Sequence, residues 1–122
     1  MSMNQAEELK ARTKKFAVAV VRLFRTFPKT EEARIIGRQL LKSGTSVGAN
    51  YRAVCRARSH AEFVARIGIV VEEADESVFW LELVQETEIL PVDRVRDPLR
   101  ESNELLAIFA ASQNTAKSSM RK

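Results

Sequence analysis

The residues best suited to chemistry are four carboxylates, Glu72, Glu73, Asp75 and Glu76, with the single histidine His60 and the single cysteine Cys55. Four acids so close together on one helix invite a two-metal reading. Bundle sites of that kind take Glu-x-x-His pairs projecting inward from facing helices. His60 instead stands beside an arginine-rich turn with no acid three residues before it, so the pattern is not met. One cysteine excludes an intrachain disulfide and any multi-cysteine metal site, and Cys55 reads as a buried small hydrophobe. The sequence holds no phosphate loop, no Gly-x-Ser-x-Gly and no Ser/His/Asp set. A non-enzymatic chain with no metal and no cofactor is expected.

Charge remains. Projected at about 100° per residue, Arg34, Arg38, Lys42, Arg52 and Arg56 fall on one face of a helix, within roughly 80° of arc. Arg58 assists from the following turn, and Arg66 lies nearby. Such a stripe suits phosphates, and each phosphate it neutralises adds a counterion-release contribution to affinity. With only Tyr51 near it and no aromatic-rich platform, binding is expected to follow shape and charge rather than base identity. The competing use is bidentate pairing with carboxylates of an adjacent subunit. Residues 67–90 supply those acids, seven with no base, whereas the rest of the chain carries twenty bases against nine acids. That excess favours nucleic acid, with structured RNA ahead of DNA.

Four helices must position these residues. The chain of 122 residues suits one domain, with 45% hydrophobic content and only four glycines and three prolines. The spacing predicts helices over about 5–27, 31–56, 60–89 and 92–115, and a frayed basic tail over 116–122. Pro28 and Pro91 mark boundaries, Thr30 is a candidate N-cap, and Ser59 with Glu62 forms a capping box. Pro98 either kinks the fourth helix or restarts it behind Asp97. The expected fold is all-α, an up-down-up-down four-helix bundle. With no hydrophobic leader and no run long enough to span a bilayer, a cytoplasmic protein with no membrane partner is expected.

The helix faces add two expectations. On the second helix, Ile36, Leu40, Val47 and Val54 face the core with Ser43 and Asn50, while Gly37, Gly44 and Gly48 share a flank with Cys55. Asn50 is expected in a buried polar network with Ser46, Glu73 and Glu76, since an unpaired buried amide costs about 1–3 kcal/mol. The third helix is apolar on two sides: Phe63, Ile67, Val70, Val71, Ala74, Val78 and Leu81 on one, Phe79, Leu83 and Leu90 nearly opposite, flanked by Ile69 and Trp80. A helix apolar on two faces is buried on two faces, which predicts self-association. Phe79, Trp80 and Leu83 are the expected oligomer contact, with Gly44 and Gly48 admitting a close helix approach.

The segments SVGANYRAVCRARSHAEF, IVVEEADESVFWLEL and ELLAIFAAS resemble the bacterial four-helix-bundle proteins encoded within intervening sequences of 23S ribosomal RNA genes. The resemblance covers about Phe24 to Thr115. That group is similar to the accessory variability determinant of diversity-generating retroelements, a pentameric barrel that binds nucleic acid and a reverse transcriptase. The resemblance therefore implies a homopentamer, with nucleic acid and possible protein partners. Where the group often follows the asparagine with Ile-Ala-Glu-Gly, this chain has Tyr51, Arg52, Ala53 and Val54. Any role of that acid does not transfer.

Overall fold

The computed structural model describes residues 3–120. They form α1 (Met3–Phe24), α2 (Glu31–Cys55), α3 (His60–Glu86) and α4 (Val92–Met120), with no strand among the described residues. Each helix packs on its neighbours in sequence, α1 meets α4 along the thinnest seam, and the diagonal helices keep their backbones apart, meeting only through core side chains such as Tyr51 and Phe109. That is an up-down-up-down ring.

Local chemistry sets the boundaries. Thr30 caps α2 by accepting the Ala33 N–H at 3.3 Å, and Glu31 and Glu32 occupy the positive first turn. Ser59 caps α3 by accepting the Glu62 N–H at 3.0 Å. The Glu62 carboxylate reaches back to the Arg58 N–H at 3.1 Å and takes Arg66 at 2.8 Å. These contacts, the Arg58 amide foremost, hold the Glu62 carboxyl below its ordinary range.

Two helices end earlier than their periodicity predicts. α1 stops at Phe24, where the Thr26 and Phe27 amides turn back to Leu23 and Phe24 and the Thr26 hydroxyl donates to the Leu23 carbonyl at 2.7 Å. α3 stops at Glu86. Glu88 takes a left-handed conformation (φ 59°), the Ile89 N–H reaches the Val84 carbonyl and the Glu88 N–H that of Gln85. This is a Schellman ending built without its usual glycine. It turns Leu90 into the core, where it is buried, and not onto the outer face of α3 as the helical projection had it. α4 runs unbroken through Pro98 and on to Met120, so residues 116–120 are helical rather than frayed. Residues 121 and 122 lie outside the described residues.

The core is aliphatic around one aromatic pair, Tyr51 against Phe109 with ring centroids 5.2 Å apart. Tyr51 is fully buried, not near the basic stripe, and burial, helped by neighbouring Cys55, pushes its hydroxyl pKa up. Cys55 itself is exposed at the end of α2, not the buried hydrophobe expected. Small polar side chains line the helix contacts. The Ser77 hydroxyl sits 3.1 Å from that of Ser43 and 2.9 Å from the Glu73 carbonyl, and the Ser102 hydroxyl donates to the Ala74 carbonyl at 3.4 Å.

This serine pair replaces the expected asparagine network. Asn50 is half-buried and its amide donates to the backbone carbonyl of Ser46 at 2.8 Å, one turn back on the same helix. The Ser46 hydroxyl is likewise satisfied locally, by the Lys42 carbonyl at 2.6 Å. Glu76 is exposed. Asn50 lies at the edge of the core-facing arc, where α2 can supply its own acceptor.

Gly44 and Gly48 are also relocated. Both are buried inside the bundle against α1, not at an oligomer contact. A Cβ on Gly44 would stand 2.8 Å from a Val20 methyl, and one on Gly48 would stand 3.2 Å from the Thr13 carbonyl oxygen. The flank does admit a close helix approach, and the approaching helix is α1.

Candidate nucleic-acid interface

α2 carries its cations outward because its core arc is occupied by Leu40, Val47, Tyr51 and Val54 and its α1-facing flank by glycine. Arg34, Arg38, Lys42, Arg52, Arg56 and Arg58 are all exposed. At about 1.5 Å per residue, the stripe from Arg34 to Arg56 is roughly 33 Å long. It falls into two groups separated by Thr45 and Ala49, small residues that leave the backbone open between them.

Among the described residues, none of these six side chains forms an ion pair with a carboxylate of its own chain. Arg34 donates to the Lys29 carbonyl at 2.9 Å, folding its guanidinium over the α1–α2 turn. Four cations elsewhere are paired with carboxylates. Arg12 makes a bidentate contact with Glu101, both bonds 2.7 Å, and a third bond to Glu104 at 3.2 Å. Glu101 above all keeps the Arg12 guanidinium firmly charged. Arg66 pairs with Glu62, Lys10 with Glu7 and Arg100 with Asp97. Arg66, named beside the stripe for its charge, thus serves the α3 cap.

The α1–α2 seam adds cations that helix-by-helix reading left out. Lys14, Arg22 and Arg25 line one hollow on α1 of about 390 Å³. Arg25, Lys29, Arg34 and Arg38 line a second of about 320 Å³ at the α1–α2 turn. Arg25 borders both, and neither hollow is lined by an acid. The signal was the charge of residues 1–29, seven bases against two acids, which no projection of α2 could place.

α3 has the opposite outer face. Phe79 is 55% exposed and Ile69 43%, with Trp80 and Leu83 half-buried and the Phe79 and Trp80 rings edge-to-face at 4.9 Å. Glu72, Asp75, Glu76 and Glu82 surround them, all exposed. Glu73 is half-buried, and that burial, with Glu76 and Glu72 adding and Lys42 opposing, raises its carboxyl pKa.

Residues 7–111 match the family of 23S rRNA-intervening sequence proteins. The chain belongs to that family. A crystal structure of a protein of unknown function from the S23 ribosomal protein family of Bacteroides thetaiotaomicron superposes with a TM-score of 0.79. Its identity to this chain is 31%, over 85% of this chain and 96% of that one. No protein of curated function matches.

Three other features of this 23S rRNA-intervening sequence protein bear on what it could hold. Among the described residues no cluster of histidine, cysteine and carboxylates could hold a metal ion. Nor is any described helix long and apolar enough to cross a membrane. A hollow of about 840 Å³ between the start of α1 and the end of α4 is lined mostly by apolar and small residues. Two of its polar groups are committed: His60 donates from Nε2 to the Ala116 carbonyl at 2.8 Å, and Arg12 is held by Glu101.

Proposed function

We propose that this protein is a non-enzymatic homo-oligomer that binds the phosphate backbone of structured nucleic acid, RNA first, with little sequence specificity. The observation that carries the reading is the row of exposed cations on α2, which form no ion pair among the described residues while Arg12 and Arg66 are tied to carboxylates. Charge left unpaired on a rigid helix is available to an anion at little cost in reorganisation. The family's description ties its members to 23S rRNA, which makes RNA the natural first probe.

Five copies are proposed by similarity to the retroelement accessory protein, with Phe79, Trp80 and Leu83 in the contact. Assembly would repeat the basic stripe around a ring and multiply the phosphate contacts. The site of action on this reading is the cytoplasm. Sedimentation is expected to give about five times the 13.8 kDa chain mass. A monomer at micromolar concentration removes the barrel.

The decisive binding experiment is a salt titration against labelled RNA and DNA. Log affinity should fall linearly as log salt rises, and Arg38→Glu should weaken binding to all sequences alike. A second reading is favoured by the acids around Phe79: the cations pair with α3 of the next subunit and the protein is a structural or protein-interaction module. On that reading Arg38→Glu and Arg52→Glu break assembly, and the intact protein binds no nucleic acid at low salt.

A further inference from the structure

The hollow at the α1–α2 turn differs from the rest of the cationic surface because its floor is aromatic. Phe24, Phe27 and Pro28 line it together with Arg25, Lys29, Arg34 and Arg38. The Phe24 and Phe27 rings are 6.1 Å apart and tilted by 35°, and both residues are half-buried. Phe27 is held firmly, because Gly37 leaves room for it: a Cβ at position 37 would come within 3.0 Å of its ring. Arg34 is tethered to the Lys29 carbonyl, which fixes a guanidinium at the rim. The nearest acids in sequence, Glu31 and Glu32, sit in the first turn of α2 and do not line the hollow.

We infer that this corner is a binding site for one unpaired nucleotide, its base against Phe27 and Pro28 and its flanking phosphates on Arg25, Lys29, Arg34 and Arg38. The inference rests on the nucleic-acid reading above and sharpens it. A base inside a duplex has both faces covered by its neighbours, so an aromatic floor is useful only to a base that is splayed out. Stacking on an aromatic side chain tolerates any base, because every base has a π-face, while cations at the rim track the backbone. The second hollow, through Lys14, Arg22 and Arg25, continues the cationic track along α1. Lys14 to Arg25 spans about 16 Å at 1.5 Å per residue, enough for further phosphates of the same strand.

The test uses the full chain and anisotropy of labelled single-stranded RNA, single-stranded DNA and an RNA duplex of the same sequence, at low salt. Both single strands are expected to bind about tenfold tighter than the duplex. Phe27→Leu fills the space beside Gly37 without a π-face and should erase that preference while duplex binding persists. Arg25→Glu, exposed and free of packing duties, should weaken single-strand binding more than Arg56→Glu at the far end of the stripe. The inference is overturned if duplex and single strand bind alike, or if a folded Phe27→Leu protein and Arg25→Glu both bind the single strand as wild type does. In those outcomes the broader reading survives on Arg52 and Arg56. No binding of any probe at low salt overturns both.

Discussion

The outer faces of α2 and α3 are built from opposite materials. α2 presents cations that form no ion pair with a carboxylate among the described residues, and α3 presents acids around an exposed phenyl ring. Both helices share the same core and are joined by one short turn. The difference teaches where charge is structural and where it is not. Arg12–Glu101 closes the thin α1–α4 seam and Glu62 caps α3, so those charges are occupied in holding the fold. Beyond the Arg34 bond to the Lys29 carbonyl, the α2 stripe adds no ion pair that holds the fold among the described residues, and Phe79 and Ile69 on α3 stay exposed although Trp80 beside them packs on the core. A surface that the monomer does not need is where partners are expected, and the two faces call for different ones.

The largest effect should come from breaking the α3 face. If the proposed assembly covers Phe79, Phe79→Glu puts a charge into a dry contact, where an unpaired charge costs several kcal/mol. Sedimentation should show the variant as monomer while circular dichroism shows an intact helical fold. If it sediments as wild type does, the exposed phenyl ring is not the contact, and the contrast between the faces loses its apolar half.

The next test concerns the packing that lays α1 beside the α2 stripe. Gly44→Ala must push a β-branched, fully buried Val20 aside and is expected to destabilise by about 1–3 kcal/mol. Gly68 in α3 is a built-in control. Its Cβ would meet only the amide end of Gln113, which can swing away, so Gly68→Ala should stabilise by about 0.5 kcal/mol through helix propensity. Thermal melts with opposite signs would show that the α1–α2 approach is specific. Stabilisation by both would mean that Gly44 serves no close contact.

Helix number, order and caps were legible in the sequence because each rests on local chemistry: Thr30, Ser59 with Glu62, and the prolines. The end of α3 was not, since a Schellman turn announces itself by glycine and here Glu88 takes the left-handed position. Asn50 misled because a helical projection gives direction but not depth, and at the rim of the arc its own helix supplied the acceptor. The glycine flank was read correctly as a close approach and wrongly as an oligomer contact, because spacing on one helix does not say which neighbour fills it. The α2 stripe was legible as exposed charge. Its continuation onto α1 was not, because the groove through Arg25 exists only once two helices are laid side by side.

The smallest expected effect lies where the two faces meet. Glu73 stands at the border, with burial, Glu76 and Glu72 pushing its carboxyl pKa up and Lys42 across the α2–α3 contact pulling it down. A folded-state value above the unfolded one means that the folded protein holds this proton more tightly. Stability linked to Glu73 is then full below its ordinary value of 4.5 and is lost as pH rises through the folded value. Glu73→Gln removes the charge and keeps the shape, so the variant should be more stable than wild type at pH 7, and the two should converge below about pH 4. Melts across that range give the sign directly. A variant less stable at pH 7 would mean that the carboxylate is valued as an anion, with a cation brought to it by Lys42 or by a neighbouring copy. That outcome would move the α2 stripe toward subunit pairing and away from phosphate. Greater stability at pH 7 leaves the acids of α3 unpartnered at this border and the cations of α2 free.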